Sequence, residues 1–258
     1  MVFDISFRRG NGDFMSFYSE ISKYYDYIFP VGENQLNFIK DCAGSPGGKI
    51  LDVACGSGGY SIELAKAGYV VTAVDLEDEM IEKVKLKAAE NSLSINAFKC
   101  DMRELEEKIR ERFDAIFCIG NSLVHLSNLK EITGVLAKMR RLLKEKGCLV
   151  LQTVNYDRII KYNLDGLPTI TNDEFGLEFI RKYKFKKENN TIEFNTSLRI
   201  KRGDSHEEYN NSVELLPLKS DELAAALHEA GFATFDFYGD FKYSVYTEDS
   251  PSLVVRAR

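Results

Sequence analysis

From about Lys49 to Asn155 the chain alternates between short apolar runs and segments whose apolar residues recur every three or four positions. The runs "KILDVAC", "YVVTAVD", "LSINAFKC", "FDAIFCIGN" and "CLVLQTVN" read as five strands. Continuously apolar strands are covered on both faces, as in a parallel sheet. Between them, "YSIELAKAG" predicts a helix closed by Gly68, and "DEMIEKVKLKAAEN" a helix with Met80, Val84 and Ala88 on one face. "RELEEKIRERF" predicts a helix with Leu105 and Ile109 inward. "SNLKEITGVLAKMRRLLKEKG" predicts a long one, with Leu129, Ile132, Leu136, Met139 and Leu143 along its apolar stripe. Strands alternating with helices give a doubly wound α/β fold. Such folds bind ligands at the carboxyl ends of their strands. Asp52, Asp75, Asp101, Asn121 and Asn155 all fall at or near those ends.

Residues 156–218 break the rhythm. "LEFIRKYKFKKENNTIEFNTSLRIKRGDSHEEYNNSVELLPL" reads as three strands joined by turns at "KENN" and "KRGD", an antiparallel insertion after the fifth strand. The main pattern then resumes over 219–258. "KSDELAAALHEAGF" is a helix with Ser220 as N-cap, and "ATFDFYGDF" and "PSLVVRAR" are two last strands. The expected fold is therefore an α/β, doubly wound, mostly parallel seven-stranded sheet with a three-stranded antiparallel insertion. The main domain takes residues 15–155 and 219–258. Residues 1–14, polar and broken by glycine, are expected to lie outside the fold as a disordered or appended segment.

Composition narrows the function. The 258 residues are 44% hydrophobic and 29% charged, with a net charge of −6 and no lysine-arginine tract. That balance argues against a chain built to grip phosphate backbones. Five cysteines, an odd number without a CxxC pair, read as buried reduced thiols in a cytoplasmic protein. The three histidines have no metal-site spacing, so no metal is expected. No apolar run reaches the ~18 residues that span a membrane.

The chemistry concentrates in "LDVACGSGGY", which joins the first strand to the first helix of the alternating region. Gly56, Gly58 and Gly59 let the backbone turn tightly and let a ligand approach the peptide. A dinucleotide loop would place a third glycine where Ser61 stands, and the phosphate-loop pattern is absent. A better match is an acid closing strand one (Asp52), small residues around glycine, and an acid closing strand two (Asp75). A carboxylate at Asp75 can accept both hydroxyls of a ribose. At the end of strand three, Asp101 can take an adenine amino group and Met102 can cover its face.

At these residues the chain resembles the class I S-adenosylmethionine-dependent methyltransferases, which have a Rossmann-like fold. "ILDVACGSGGYSIELAKAGYVVTAVDLEDEM" is similar to that family's cofactor motif. "FDAIFCIGNSLVHL", "NYDRII" and "GDFKYSVYTED" resemble the glycine/sarcosine N-methyltransferases, which also insert antiparallel strands after strand five. The resemblance implies S-adenosyl-L-methionine as cofactor and S-adenosyl-L-homocysteine as product. It implies a cofactor site of Tyr18, Tyr25, Asp52, Ala54, Gly56, Gly58, Asp75, Leu76, Asp101, Met102, Ile119 and His125. Asn121 would face the substrate, with Tyr156 and Tyr243 as further positioning candidates. Tyr183 and Tyr246 also fall near the expected mouth.

Methyl transfer from a sulfonium is an in-line displacement that needs no enzyme nucleophile. Positioning carries it, and aromatic rings can stabilise the cation. The expected reaction is transfer to a small-molecule acceptor, most simply an amine nitrogen. Oxygen or carbon methylation, a non-catalytic cofactor-binding protein and a nucleic-acid methyltransferase are the competing readings. Oligomeric state is left open. In the glycine/sarcosine enzymes the fifth strand ends in an arginine that grips the substrate carboxylate. Here that place is Val154. Glycine and sarcosine are therefore expected to be poor substrates, unless Arg158, Arg181 or Arg199 supplies the charge from the insertion.

Overall fold

The computed structural model describes residues 14–203 and 205–258, with side chains from Glu20 onward. Two helices, α1 (Phe14–Ile28) and α2 (Glu33–Ala43), precede the alternating region. Then follow β1 (Lys49–Val53), α3 (Gly59–Lys66), β2 (Val70–Asp75), α4 (Asp78–Glu90) and β3 (Ile95–Lys99). The unit continues with α5 (Leu105–Lys108), β4 (Phe113–Cys118), α6 (Leu129–Leu142) and β5 (Leu143–Val154). After α7 (Tyr156–Lys161) come β6 (Gly166–Asn172), β7 (Leu177–Lys186), β8 (Thr191–Arg202) and β9 (Ser205–Leu215). The chain closes with α8 (Ser220–Glu229), β10 (Phe235–Tyr238) and β11 (Ser252–Ala257).

β1 to β5, β10 and β11 form one seven-stranded sheet in the order β10-β11-β5-β4-β1-β2-β3. β1 to β5 pair in parallel, and β10 and β11 run antiparallel at one edge. The order reverses between β1 and β4, which opens a crevice at the carboxyl ends of those strands. Leu51, Ile116 and Leu149 are buried on one face, and Ile50, Ala115 and Val150 on the other. Helices cover both, which is why the strands read as unbroken apolar runs.

The insertion is a separate antiparallel sheet of four strands, β6-β7-β8-β9, not three. β6 was missed because "GLPTITN" carries glycine and proline and alternates weakly. It is an edge strand, where a proline lacking an N–H costs little. Ile21 and Ile28 of α1 pack on Leu177, Phe179, Leu198 and Ile200, so this sheet shares a small core with the first helix.

Some boundaries also move. The helix expected over "RELEEKIRERF" stops at Lys108, because Ile109 turns extended to feed β4. Leu105 and Ile109 are buried as expected. α6 ends at Leu142, and Leu143 begins β5 opposite Phe113. Leu129, placed on the apolar stripe, is exposed at the first turn. α8 has Lys219, not Ser220, at its cap position, where Glu222 accepts the Lys219 backbone N–H at 3.0 Å. Most of the 1–14 segment lies outside the described residues, but Phe14 already belongs to α1. Among the described residues no helix is long and apolar enough to cross a membrane.

Candidate active site

A cavity of about 560 Å³ opens at the carboxyl ends of β1 and β4, beneath α1 and the inserted sheet. Its floor is the loop after β1. Ala54 and Gly56 both have positive φ, at 59° and 54°, so the chain turns sharply and presents peptide edges upward. Gly58 is held at φ 77°, and a Cβ there would lie 2.6 Å from Val84 Cγ2. Glycine is needed at that position for both its backbone and the approach of α4.

Two carboxylates close the first two strands. Asp52 is buried beside the cavity and accepts the Ser61 hydroxyl at 2.6 Å. Burial pushes its carboxyl up to about 7, against the lowering effect of that hydrogen bond. Asp75 stands behind the loop. Its Oδ2 accepts the Gly56 N–H at 2.8 Å and its Oδ1 the Glu77 N–H at 3.0 Å. Burial raises this group too, against three backbone hydrogen bonds. Among the described residues neither carboxylate has a basic side chain as a hydrogen-bond or ion-pair partner, so a cationic ligand with donor groups would be complementary to this end.

Tyr25, Asp52, Ala54, Ile119, Asn121 and His125 all line the cavity. Tyr25 reaches across the loop: a Cβ on Gly56 would meet its hydroxyl at 2.6 Å. Burial holds His125 below its ordinary range, so its imidazole is neutral at neutral pH. Asn121 takes the left-handed conformation, φ 68°. Its Oδ1 accepts the Val154 N–H at 3.1 Å, and its Nδ2 donates to the Tyr156 hydroxyl at 3.0 Å. Gln152 Oε1 accepts the neighbouring Gly120 N–H at 2.8 Å. The β4 and β5 ends are thus tied into one rigid wall.

Other expected residues lie elsewhere. Tyr243 is outside the cavity, stacked on Phe38 and donating to Asp41 Oδ2 at 2.7 Å. Tyr246 is held by Asn155 and Asp157 at 3.0 and 2.9 Å. Leu76 is exposed, and Met102 packs on the main core. Asp101 is forked by Arg103, with Nη2 on Oδ2 at 2.5 Å and Nε on Oδ1 at 3.0 Å. Tyr18 lies in α1, but its side chain falls outside the described residues. The "NYDRII" stretch is scaffold. Asn155 Oδ1 accepts the Arg158 N–H, while its Nδ2 donates to the carbonyls of Thr247, Glu248 and Ser250. Asp157 accepts the Ser220 N–H, joining α7 to α8.

Two features had no strong sequence signal. Asp26 of α1 pairs with Lys87 at 2.6 Å and accepts the Ser57 hydroxyl at 2.6 Å, pinning the helix to the loop. Ser57 stands 31 positions from Asp26 and 30 from Lys87 along the chain, and none of the three is unusual where it stands. Arg181 lines the cavity from β7, beside Phe179 and Tyr183. Its signal was the alternation in "FIRKYKF", which puts Phe179, Arg181 and Tyr183 on one face.

A methyltransferase-domain family matches residues 50–147. The glycine/sarcosine N-methyltransferase of Aphanothece halophytica is 31% identical over 226 residues, which cover 84% of this chain and 78% of that protein. In fold, an S-adenosylmethionine-dependent methyltransferase from Clostridium acetobutylicum gives a TM-score of 0.79 at 17% identity, covering 93% of this chain and 98% of that one. An amino pentose methyltransferase from Micromonospora echinaspora, solved with S-adenosylmethionine bound, gives 0.69 at 16% identity, covering 98% and 100%. The chain belongs to the S-adenosylmethionine-dependent methyltransferases. Its cofactor is S-adenosylmethionine, and the glycine loop with unpaired-by-base Asp52 and Asp75 fits that cationic ligand.

Proposed function

We propose that the protein transfers the methyl group of S-adenosylmethionine to the nitrogen of a small-molecule amine. The observation that carries this reading is the cavity itself. It joins the glycine loop and Asp52 at one end to a wall of Phe179, Tyr183 and Phe194 from the inserted sheet at the other. Such a chamber admits a small molecule. The similarity to a glycine/sarcosine N-methyltransferase supports nitrogen as the atom attacked.

The cofactor, when bound, supplies an electrophilic methyl group on a sulfonium. The chain's own residues hold and orient. Asp75 is assigned to the ribose hydroxyls, since a carboxylate offers about four lone-pair sites and its three backbone hydrogen bonds leave one open to a hydroxyl donor. Asp52, Ala54 and Gly56 face the amino-acid part, while Ile119 and His125 line the wall. An adenine contact at Asp101 requires Arg103 to share or release that carboxylate. Tyr25, above the loop, excludes water from the reacting centre. Asn121, locked by Val154 and Tyr156, presents a fixed edge to the acceptor. Holding two reactants in line can supply ~7–11 kcal/mol of the barrier. A simple alkyl amine, mostly protonated near pH 7 in water, is driven toward its neutral, attacking form by desolvation in this apolar wall.

Incubation with labelled S-adenosylmethionine and a panel of amines, alcohols and carbon acids, with mass detection of products, tests the reading. Mono- or dimethylated amine is the expected product. Methylation confined to oxygen or carbon overturns the nitrogen assignment. Binding of S-adenosylhomocysteine without turnover of any acceptor class overturns catalysis.

A further inference from the structure

The acceptor end of the cavity holds a cation, Arg181, that has no ion-pair partner among the described residues. Alternation along β7 sets Leu177, Phe179, Arg181 and Tyr183 on the inner face, while Glu178, Lys182 and Lys184 point to solvent. The other β7 residues of that parity, Leu177, Phe179, Tyr183 and Phe185, are apolar or aromatic, the first three of them buried, and only position 181 is charged. The Arg181 guanidinium is fixed in place by one hydrogen bond, Nη2 to the Pro168 carbonyl at 2.6 Å across to β6. Its Nε is buried and has no hydrogen-bond partner among the described residues. Thr196, directly opposite on β8, also has a buried hydroxyl oxygen without a partner.

The acids that line the same cavity are engaged elsewhere. Asp26 is taken by Lys87 and Ser57, Asp52 by Ser61, and Asp240 by Ser244 and the Lys242 N–H. Desolvation holds Arg181 below the ordinary guanidinium range, the sign of a charge without compensation. The other two candidate arginines are placed differently. Arg199 pairs with Glu208 at 3.0 Å on the outer face, and Arg158 is absent from the cavity wall. A half-buried charge with an unmet buried donor is costly unless a ligand meets it.

We propose that Arg181 determines acceptor specificity by receiving an anionic group, a carboxylate or a phosphate, carried by the amine. The planar fork of an arginine suits both. The proposal rests on the amine-methyltransferase reading above and adds the second charge of the acceptor. It places that charge under the inserted sheet, not at the end of β5, where Val154 offers nothing to an anion.

The test is a set of paired acceptors, each with and without the anionic group: alkyl amines against amino acids of matching length, with glycine and sarcosine included, and amino alcohols against their phosphate monoesters. Parent, Arg181→Met and Arg181→Lys are compared. The anionic members are expected to have the higher kcat/KM in the parent. Arg181→Met should raise their KM about 10–100-fold, with a smaller change in kcat, and Arg181→Lys should recover part of the loss. The preference for carboxylate or phosphate pairs tells the two anions apart. S-adenosylhomocysteine affinity by calorimetry and Tm should stay near parent values in both variants, which separates this role from a structural one. Preference for neutral members, or an unchanged KM in Arg181→Met, overturns the proposal. If only oxygen or carbon acceptors turn over, the amine reading fails, and the same charged and neutral pairs of that acceptor judge Arg181. A readout free of turnover is the thermal shift of the S-adenosylhomocysteine complex with millimolar acetate or inorganic phosphate. A rise lost in Arg181→Met supports the proposal, and no rise, or equal rises in both proteins, overturns it.

Discussion

The two sheets solve opposite problems. In the seven-stranded sheet, helices cover both faces and function sits in the loops at strand ends, where Asp52, Asp75 and the glycines are set by backbone geometry. In the four-stranded sheet one face is exposed, the inner face lines the cavity, and the proposed acceptor contact, Arg181, sits in the middle of a strand. The first arrangement fixes what every member of a cofactor-binding fold must hold. The second leaves a surface whose side chains can change without disturbing the fold. Cofactor recognition and acceptor recognition are therefore separable.

The largest expected effect probes what each sheet needs to stand. Leu198 is fully buried in the small core that joins β8 to α1. Leu198→Ala should cost about 2–5 kcal/mol by leaving a cavity. Limited proteolysis should then cut near α1 first, while the glycine-loop region stays protected. Simultaneous loss of protection across the chain would show that the two sheets do not differ in stability.

A charge effect belongs to the other sheet. Folding raises the Asp52 carboxyl from 3.8 to about 7, so between those pH values the folded state binds more protons than the unfolded one. Stability of the ligand-free protein should fall as pH rises through that window, by a few kcal/mol at about 1.4 per pH unit. Asp75, raised in the same direction, adds to the slope. Asp52→Asn should flatten the dependence of Tm on pH between 4 and 7. An unchanged slope would mean that Asp52 is ionised throughout.

Much of the first sheet was legible. Its strands are unbroken apolar runs, and its loop needs glycine where a Cβ would strike Val84. The second sheet was only partly so. β6 hides behind Gly166 and Pro168, which a buried strand would exclude and an edge strand tolerates. Tyr243 lies outside the cavity because sequence proximity to the mouth says nothing of direction, and its ring turned to Phe38. Arg181 was legible only as one of three interchangeable arginines. Arg158 fell on a helix, and between Arg181 and Arg199 strand parity decided which entered the cavity, a parity that needs the register supplied by the pairing with β8.

Smaller effects sharpen the cofactor side. Asp75→Ala should weaken S-adenosylhomocysteine binding by about 1.5–3 kcal/mol for each hydrogen bond lost to the carboxylate. Asp78→Ala should leave it unchanged, since Asp78 is exposed and pairs with Lys99 at 2.6 Å. Calorimetric titration of both variants decides it, and equal affinities would move the ribose away from Asp75. Lys87→Ala removes a partly exposed ion pair to Asp26 and should cost no more than about 1 kcal/mol of stability.

Separability is tested most directly by steady-state kinetics on one turned-over acceptor, with both substrates varied, for Asp75→Ala and Arg181→Met. The account predicts a double dissociation: Asp75→Ala raises KM for S-adenosylmethionine and leaves KM for the acceptor near the parent value, and Arg181→Met does the reverse. Both variants raising the same KM, or each raising both, would contradict it.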